Sequence, residues 1–76
     1  MKIIGTSSYI KIQDFVGKSM IIEGEMIVNG FVAYKSSMTH WEEPNRHIIV
    51  SDEDRERLIK AVVEESKNKG FSIEFE

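Results

Sequence analysis

Asn29-Gly30, set between the apolar runs Met26-Ile27-Val28 and Phe31-Val32-Ala33-Tyr34, is the feature that most restricts how this chain can fold. A two-residue type I′ turn needs positive φ at both central positions, and Asn-Gly meets that need best. The pair therefore predicts a β-hairpin. Ser19 to Val28 reads as its first strand, with Met20, Ile22, Met26 and Val28 on one face. Gly24 falls on that same face, where a packing side chain is expected. A bend or a close backbone approach is predicted there.

Tyr9-Ile10-Lys11-Ile12-Gln13 alternates with period two and predicts an earlier strand. Asp14-Phe15-Val16-Gly17-Lys18 reads as the turn that follows it. Beyond position 39 the pattern changes to a charged loop. Ser51-Asp52-Glu53-Asp54 then matches a capping box and opens a helix from about Asp52 to Lys69. Three acids suit its N-terminal dipole end, and Leu58, Ile59, Val62 and Val63 form its apolar stripe. Lys67 and Lys69 complement the other end, and Gly70 is the expected stop. Phe71 to Glu76 alternates strictly, as a C-terminal strand does. The fold class is α+β: an antiparallel or mixed sheet with one long helix packed over Ile10, Ile12, Met20 and Ile22.

A chain of 76 residues is one domain, 1–76, with room for one thin core. Hydrophobic residues at 41% and charged residues at 30% are ordinary for a globular protein. There is no cysteine, which excludes disulfides and thiolate zinc and favours a reducing compartment. The opening Met1-Lys2-Ile3-Ile4-Gly5-Thr6 is too short for a signal peptide or a membrane span. A cytoplasmic location is expected. Residues 1–38 carry four lysines and three acids, whereas residues 39–76 carry six basic residues and ten acids. Without a basic block, neither nucleic acid nor a membrane surface is an expected partner. An acidic half attracts a basic protein.

His40 and His47 share a loop with Glu42 and Glu43, and histidine with carboxylate is metal-ligand chemistry. Their spacing fits no standard ligand motif, so two exposed loop histidines are the plainer reading. No metal or cofactor is expected. A nucleophile assembled from Ser36, Ser37 or Ser51 and a histidine lacks an elbow, an orienting acid and a cleft. Glu23 and Glu25 point to one side of their strand and read as a solvated face before they read as an acid–base pair. On the helix, Glu53–Arg57, Glu56–Lys60 and Glu65–Lys69 are favourable i,i+4 pairs. Glu42, Glu43, Asp52 and Asp54 lack such partners and are the acids most available to another molecule. Trp41 has two readings, a plug at the edge of the core or an interface anchor. Pro44 restrains its own φ and the residue before it, stiffening the loop.

The ordered features resemble a known family. Gly24-Glu25 precedes the Asn29-Gly30 hairpin. Phe31-Val32-Ala33-Tyr34 follows, then Trp41-Glu42-x-Pro44, then Ile48-Ile49-Val50-Ser51 before an acid-started helix with Leu58-Ile59. This looks like the immunity protein 74 family, small α+β immunity proteins of bacterial polymorphic-toxin and contact-dependent inhibition systems. The resemblance implies a non-enzymatic protein that binds and neutralises a cognate toxin domain, often a nuclease with a basic surface. The expected contact face is the loop from His40 to His47, with Trp41, Glu42, Glu43, Asn45 and Arg46, together with Asp52, Glu53 and Asp54. Gly24, Glu25, Asn29, Gly30, Trp41, Pro44, Ser51 and Gly70 are expected to carry the family's structural pattern. The alternative is a regulatory or assembly module that self-associates through a sheet edge, Tyr9–Gln13 or Phe71–Phe75.

Overall fold

A computed structural model describes residues 1–14 and 17–76. Strands β1 (Lys2–Gly5), β2 (Tyr9–Gln13), β3 (Ser19–Ile27) and β4 (Gly30–Ala33) are followed by a 3-10 turn at Lys35–Ser37. The helix α1 (Asp52–Asn68) and strand β5 (Ser72–Phe75) complete the order. The strands form one sheet in the order β1-β2-β3-β4-β5. The first three pairings are antiparallel and β4–β5 is parallel, so the sheet is mixed.

Register explains the core. Ile3, Ile12 and Met20 oppose one another across three strands, as do Gly5, Ile10 and Ile22. Met26, Phe31 and Ile73 form a third row, and Gly24, Ala33 and Phe75 a fourth. All lie on the face that Leu58 and Val62 of α1 cover, and Ile59 packs at its margin. β3 serves two partners: Ser19–Glu23 pairs with β2, and Gly24–Ile27 with β4. The predicted change of direction at Gly24 falls at this handover. A Cβ built on Gly24 runs into the Val32 carbonyl oxygen and the Phe31 ring.

Four expectations need correction. β1 was not foreseen, and it places Tyr9–Gln13 inside the sheet, so that strand offers no free edge. The hairpin turn is centred one residue earlier than Asn29-Gly30, because Ile27 pairs directly with Gly30. Only Asn29 has positive φ, 59°, so the turn is not type I′. Gly30 is instead buried in β4, where a Cβ would meet the Ser72 carbonyl oxygen of β5. Third, Met26 and Val28 are 53% and 91% exposed despite their inward parity, whereas Met20 and Ile22 are 0% exposed. Val28 belongs to the turn, beyond the end of β3. Finally, the helix's ion pairs run i,i+3, from Arg55 to Asp52 and from Arg57 to Asp54, in place of the expected i,i+4 set.

Phe15 and Val16 of the expected turn at 14–18 lie outside the described residues. At its ends the Asp14 N–H donates to the Lys18 carbonyl at 2.9 Å, and the Lys18 N–H to Asp14 Oδ1 at 2.9 Å.

Both ends of α1 match their sequence signals. The Asp54 N–H donates to Ser51 Oγ at 3.0 Å, and the Ser51 N–H donates to Asp54 Oδ2 at 3.2 Å, closing the capping box. At the far end Gly70 has φ +70°; its N–H donates to the Lys67 carbonyl at 3.1 Å, and the Phe71 N–H to the Ser66 carbonyl at 3.0 Å. These are the two bonds of a Schellman stop. The hydrogen bond from the Ser51 backbone, with Arg57 adding to it and burial opposing, holds the Asp54 carboxyl below its ordinary 3.8. Removing the cap by Ser51→Ala is expected to cost about 1 kcal/mol in urea unfolding. A depressed folded-state pKa stabilises above the unfolded value and loses that contribution as pH falls through the folded one. The stability gap between wild type and Asp54→Asn should therefore be constant near neutrality and narrow below about pH 4. A gap unchanged by acid would remove the capping role of the Asp54 carboxylate.

Candidate functional site

The segment between β4 and α1 is bound to the flank of β3 that β4 leaves open. Beyond Gly24, Ser37 Oγ accepts the Glu23 N–H at 2.9 Å and donates to the Tyr34 carbonyl at 2.7 Å. Further along, the Glu42 N–H donates to the Ser19 carbonyl at 2.8 Å. Trp41 between them is 0% exposed, and Lys18 Nζ stands 4.6 Å from its ring centroid. Arg55 of α1 reaches back to the Val50 carbonyl at 3.3 Å and to the Met38 carbonyl at 3.5 Å. The helix start thereby holds both ends of the loop.

This arrangement leaves a groove of about 400 Å³ lined by Ile21, Glu23, Ser37, His40, Glu42 and Arg46, among others. His40 Nε2 lies 3.6 Å from Glu42 Oε2, and its Nδ1 is 3.0 Å from Thr39 Oγ1. Among the described residues, no three His, Cys, Asp or Glu side chains converge as metal ligands. Ser51 Oγ is occupied by the cap and Ser37 Oγ by two main-chain groups, so neither is placed as a nucleophile.

The residues expected at a contact face are divided. Trp41 is 0% exposed and packs within the core. Glu43, Pro44 and Arg46 are exposed and Asn45 is half-buried; the Glu43–Pro44 peptide bond is cis. Glu53 is exposed. The expectation that Glu42, Asp52 and Asp54 lack local partners is corrected: they face His40, Arg55 and Arg57 respectively.

Sequence reasoning missed a different acidic surface. On the outer face of the sheet Glu25, Val32 and Glu74 form a cross-strand row. The same registers place Glu23, Tyr34 and Glu76 in the next row, where the Tyr34 N–H donates to the Glu23 carbonyl at 2.8 Å. Partial burial, then the charge and hydrogen bonding of Glu25, then Glu76, raise the Tyr34 phenol above its ordinary 10.0. The shared side of Glu23 and Glu25, and the alternation of Glu74 and Glu76, were readable. The parallel pairing that brings them beside one another was not.

One helix over one face of a mixed sheet, with a polar groove beside the 40–47 loop and a row of glutamates on the outer face of β3–β5, defines a small α+β domain. The chain belongs to the immunity protein 74 family, whose family model matches residues 2–76, essentially its full length. It is an immunity protein of that family. No curated protein and no solved structure matches it.

Proposed function

We propose that this protein binds and neutralises a cognate bacterial toxin domain by direct protein–protein contact, without catalysis of its own. The observation that carries this reading is membership of an immunity family over residues 2–76. The charge distribution supports a basic toxin surface, such as that of a nuclease: the net charge is −3 and the second half of the chain holds most of the acids. The loop from Glu42 to Arg46, with Glu53 at the helix start, supplies one lip of the contact. A stable interface needs about 800 Å² per partner, which a domain of this size provides. A cytoplasmic antidote acting by complex formation fits this reading.

The test screens the reading frames that flank this chain's gene for a growth-arresting toxin domain and uses that domain as the partner. Co-expression is expected to restore growth, and calorimetry to give a nanomolar or tighter complex that weakens as salt rises. Growth arrest despite stable expression of this protein, with no complex formed, would sink the reading.

A further inference from the structure

Ion pairs cancel at a distance, whereas unpaired charges keep their field. Among the described residues the ion pairs are Arg55–Asp52 and Arg57–Asp54, and His40 Nε2 lies 3.6 Å from Glu42 Oε2. None of these involves Glu23, Glu25, Glu74 or Glu76, which bracket Val32 and Tyr34 on the face of the sheet opposite α1. The β3–β5 half of the open sheet face therefore carries four clustered carboxylates in none of the ion pairs found among the described residues, whereas at the helix start arginines answer two of the acids.

A second observation stands apart from charge. β5 is the last strand of the sheet. The Ser72 and Glu76 N–H groups donate to the Asn29 and Ala33 carbonyls at 3.2 and 2.8 Å. Strand alternation then directs the main-chain groups of Ile73 and Phe75 away from β4, toward the side where the sheet has no further strand. Such an edge accepts an added extended segment.

We propose that the outer face of β3–β5, with the edge of β5, is the principal toxin-docking surface and receives an extended Lys/Arg-bearing segment. Its main chain runs along Ile73–Phe75 and its cations lie against Glu74 and Glu76, with Glu23 and Glu25 steering its approach. Glu23 also lines the groove beside the 40–47 loop, so this surface continues into the lip described above. A second copy of this chain would bring glutamates against glutamates, which charge repulsion disfavours. The proposal rests on the toxin-neutralising reading and locates its contact.

Binding of the neighbouring toxin domain is compared for wild type, E25K/E74K, the milder E25Q/E74Q, and E56K/E64K. The last pair changes net charge equally but sits on exposed positions of α1. E25K/E74K is expected to weaken binding about a hundredfold and E25Q/E74Q about tenfold, while E56K/E64K stays within about threefold. A chemically synthesised chain with N-methyl-Phe75 removes one edge donor and is expected to lose about tenfold. Equal losses in both reversal pairs, or unchanged binding by E25K/E74K or by the N-methyl chain, overturn the docking surface while leaving the function standing. Failure of wild type to bind overturns both. Sedimentation of wild type alone should give a monomer; a dimer broken by N-methyl-Phe75 makes a second copy the occupant and overturns the proposal.

Discussion

Trp41→Ala is expected to remove a large share of this protein's stability. Truncating a buried tryptophan costs about 3–5 kcal/mol, through lost transfer energy and the cavity left behind. A domain of 76 residues holds about 4–11 kcal/mol in total. Trp41 is the bulkiest of the fully buried side chains. It also joins the loop to the sheet, because its neighbour Glu42 donates to Ser19 of β3 and Lys18 covers its ring. The indole N–H is buried and meets no acceptor among the described residues. Trp41→Phe therefore loses volume without orphaning a hydrogen-bond partner among those residues, and should cost only about 1–2 kcal/mol. Urea unfolding followed by far-ultraviolet circular dichroism measures both. A loss under about 1 kcal/mol for the alanine variant would mean the loop collapses around the gap, and that Trp41 does not fasten it.

Gly30→Ala should be strongly damaging, at about 3 kcal/mol, the upper end of overpacking. The new Cβ meets the Ser72 carbonyl, a main-chain atom that cannot rotate aside, and so forces β4 and β5 apart. This separates two explanations of the same residue. If Gly30 were there for turn geometry, Gly30→Asn would be mild, since asparagine accepts positive φ. Because Gly30 instead lies within β4, asparagine is expected to be at least as harmful as alanine. Asn29→Gly, at the residue that does adopt positive φ, should be nearly neutral. Thermal melts of the three variants decide it: a mild Gly30→Asn with a harmful Asn29→Gly would restore the turn explanation.

How legible the fold was depends on the distance over which its causes act. Local chemistry was readable: the Ser51 cap, the Gly70 stop, the alternation of β2 and β5, and the Leu58/Val62 stripe all act within a few residues. The special character of Gly24 was readable because its place on an apolar face left a side chain missing. The role of Gly30 was misread because its reason lies in β5, at the far end of the chain, and Asn-Gly supplied a sufficient local reason. β1 was missed because Lys2-Ile3-Ile4-Gly5 is short and lacks alternation; its pairing with β2 supplies the order that its own pattern does not. At the surface, sequence spacing could not show that Arg55 and Arg57 would take the acids one turn before them. Nor could it show that Glu25 and Glu74 would become neighbours through Val32.

The parallel joint between β4 and β5 has a kinetic meaning. Strands β1 to β4 are stitched by short connections and can zip from neighbour to neighbour. β5 must wait until the long loop and the helix have been laid down, and it bears the entropic toll of closing that large circuit. Such a joint forms later than the meander it completes. A toxin gripping Glu25 on one side and Glu74 on the other would span it like a suture, so that the captured antidote outlasts the free one.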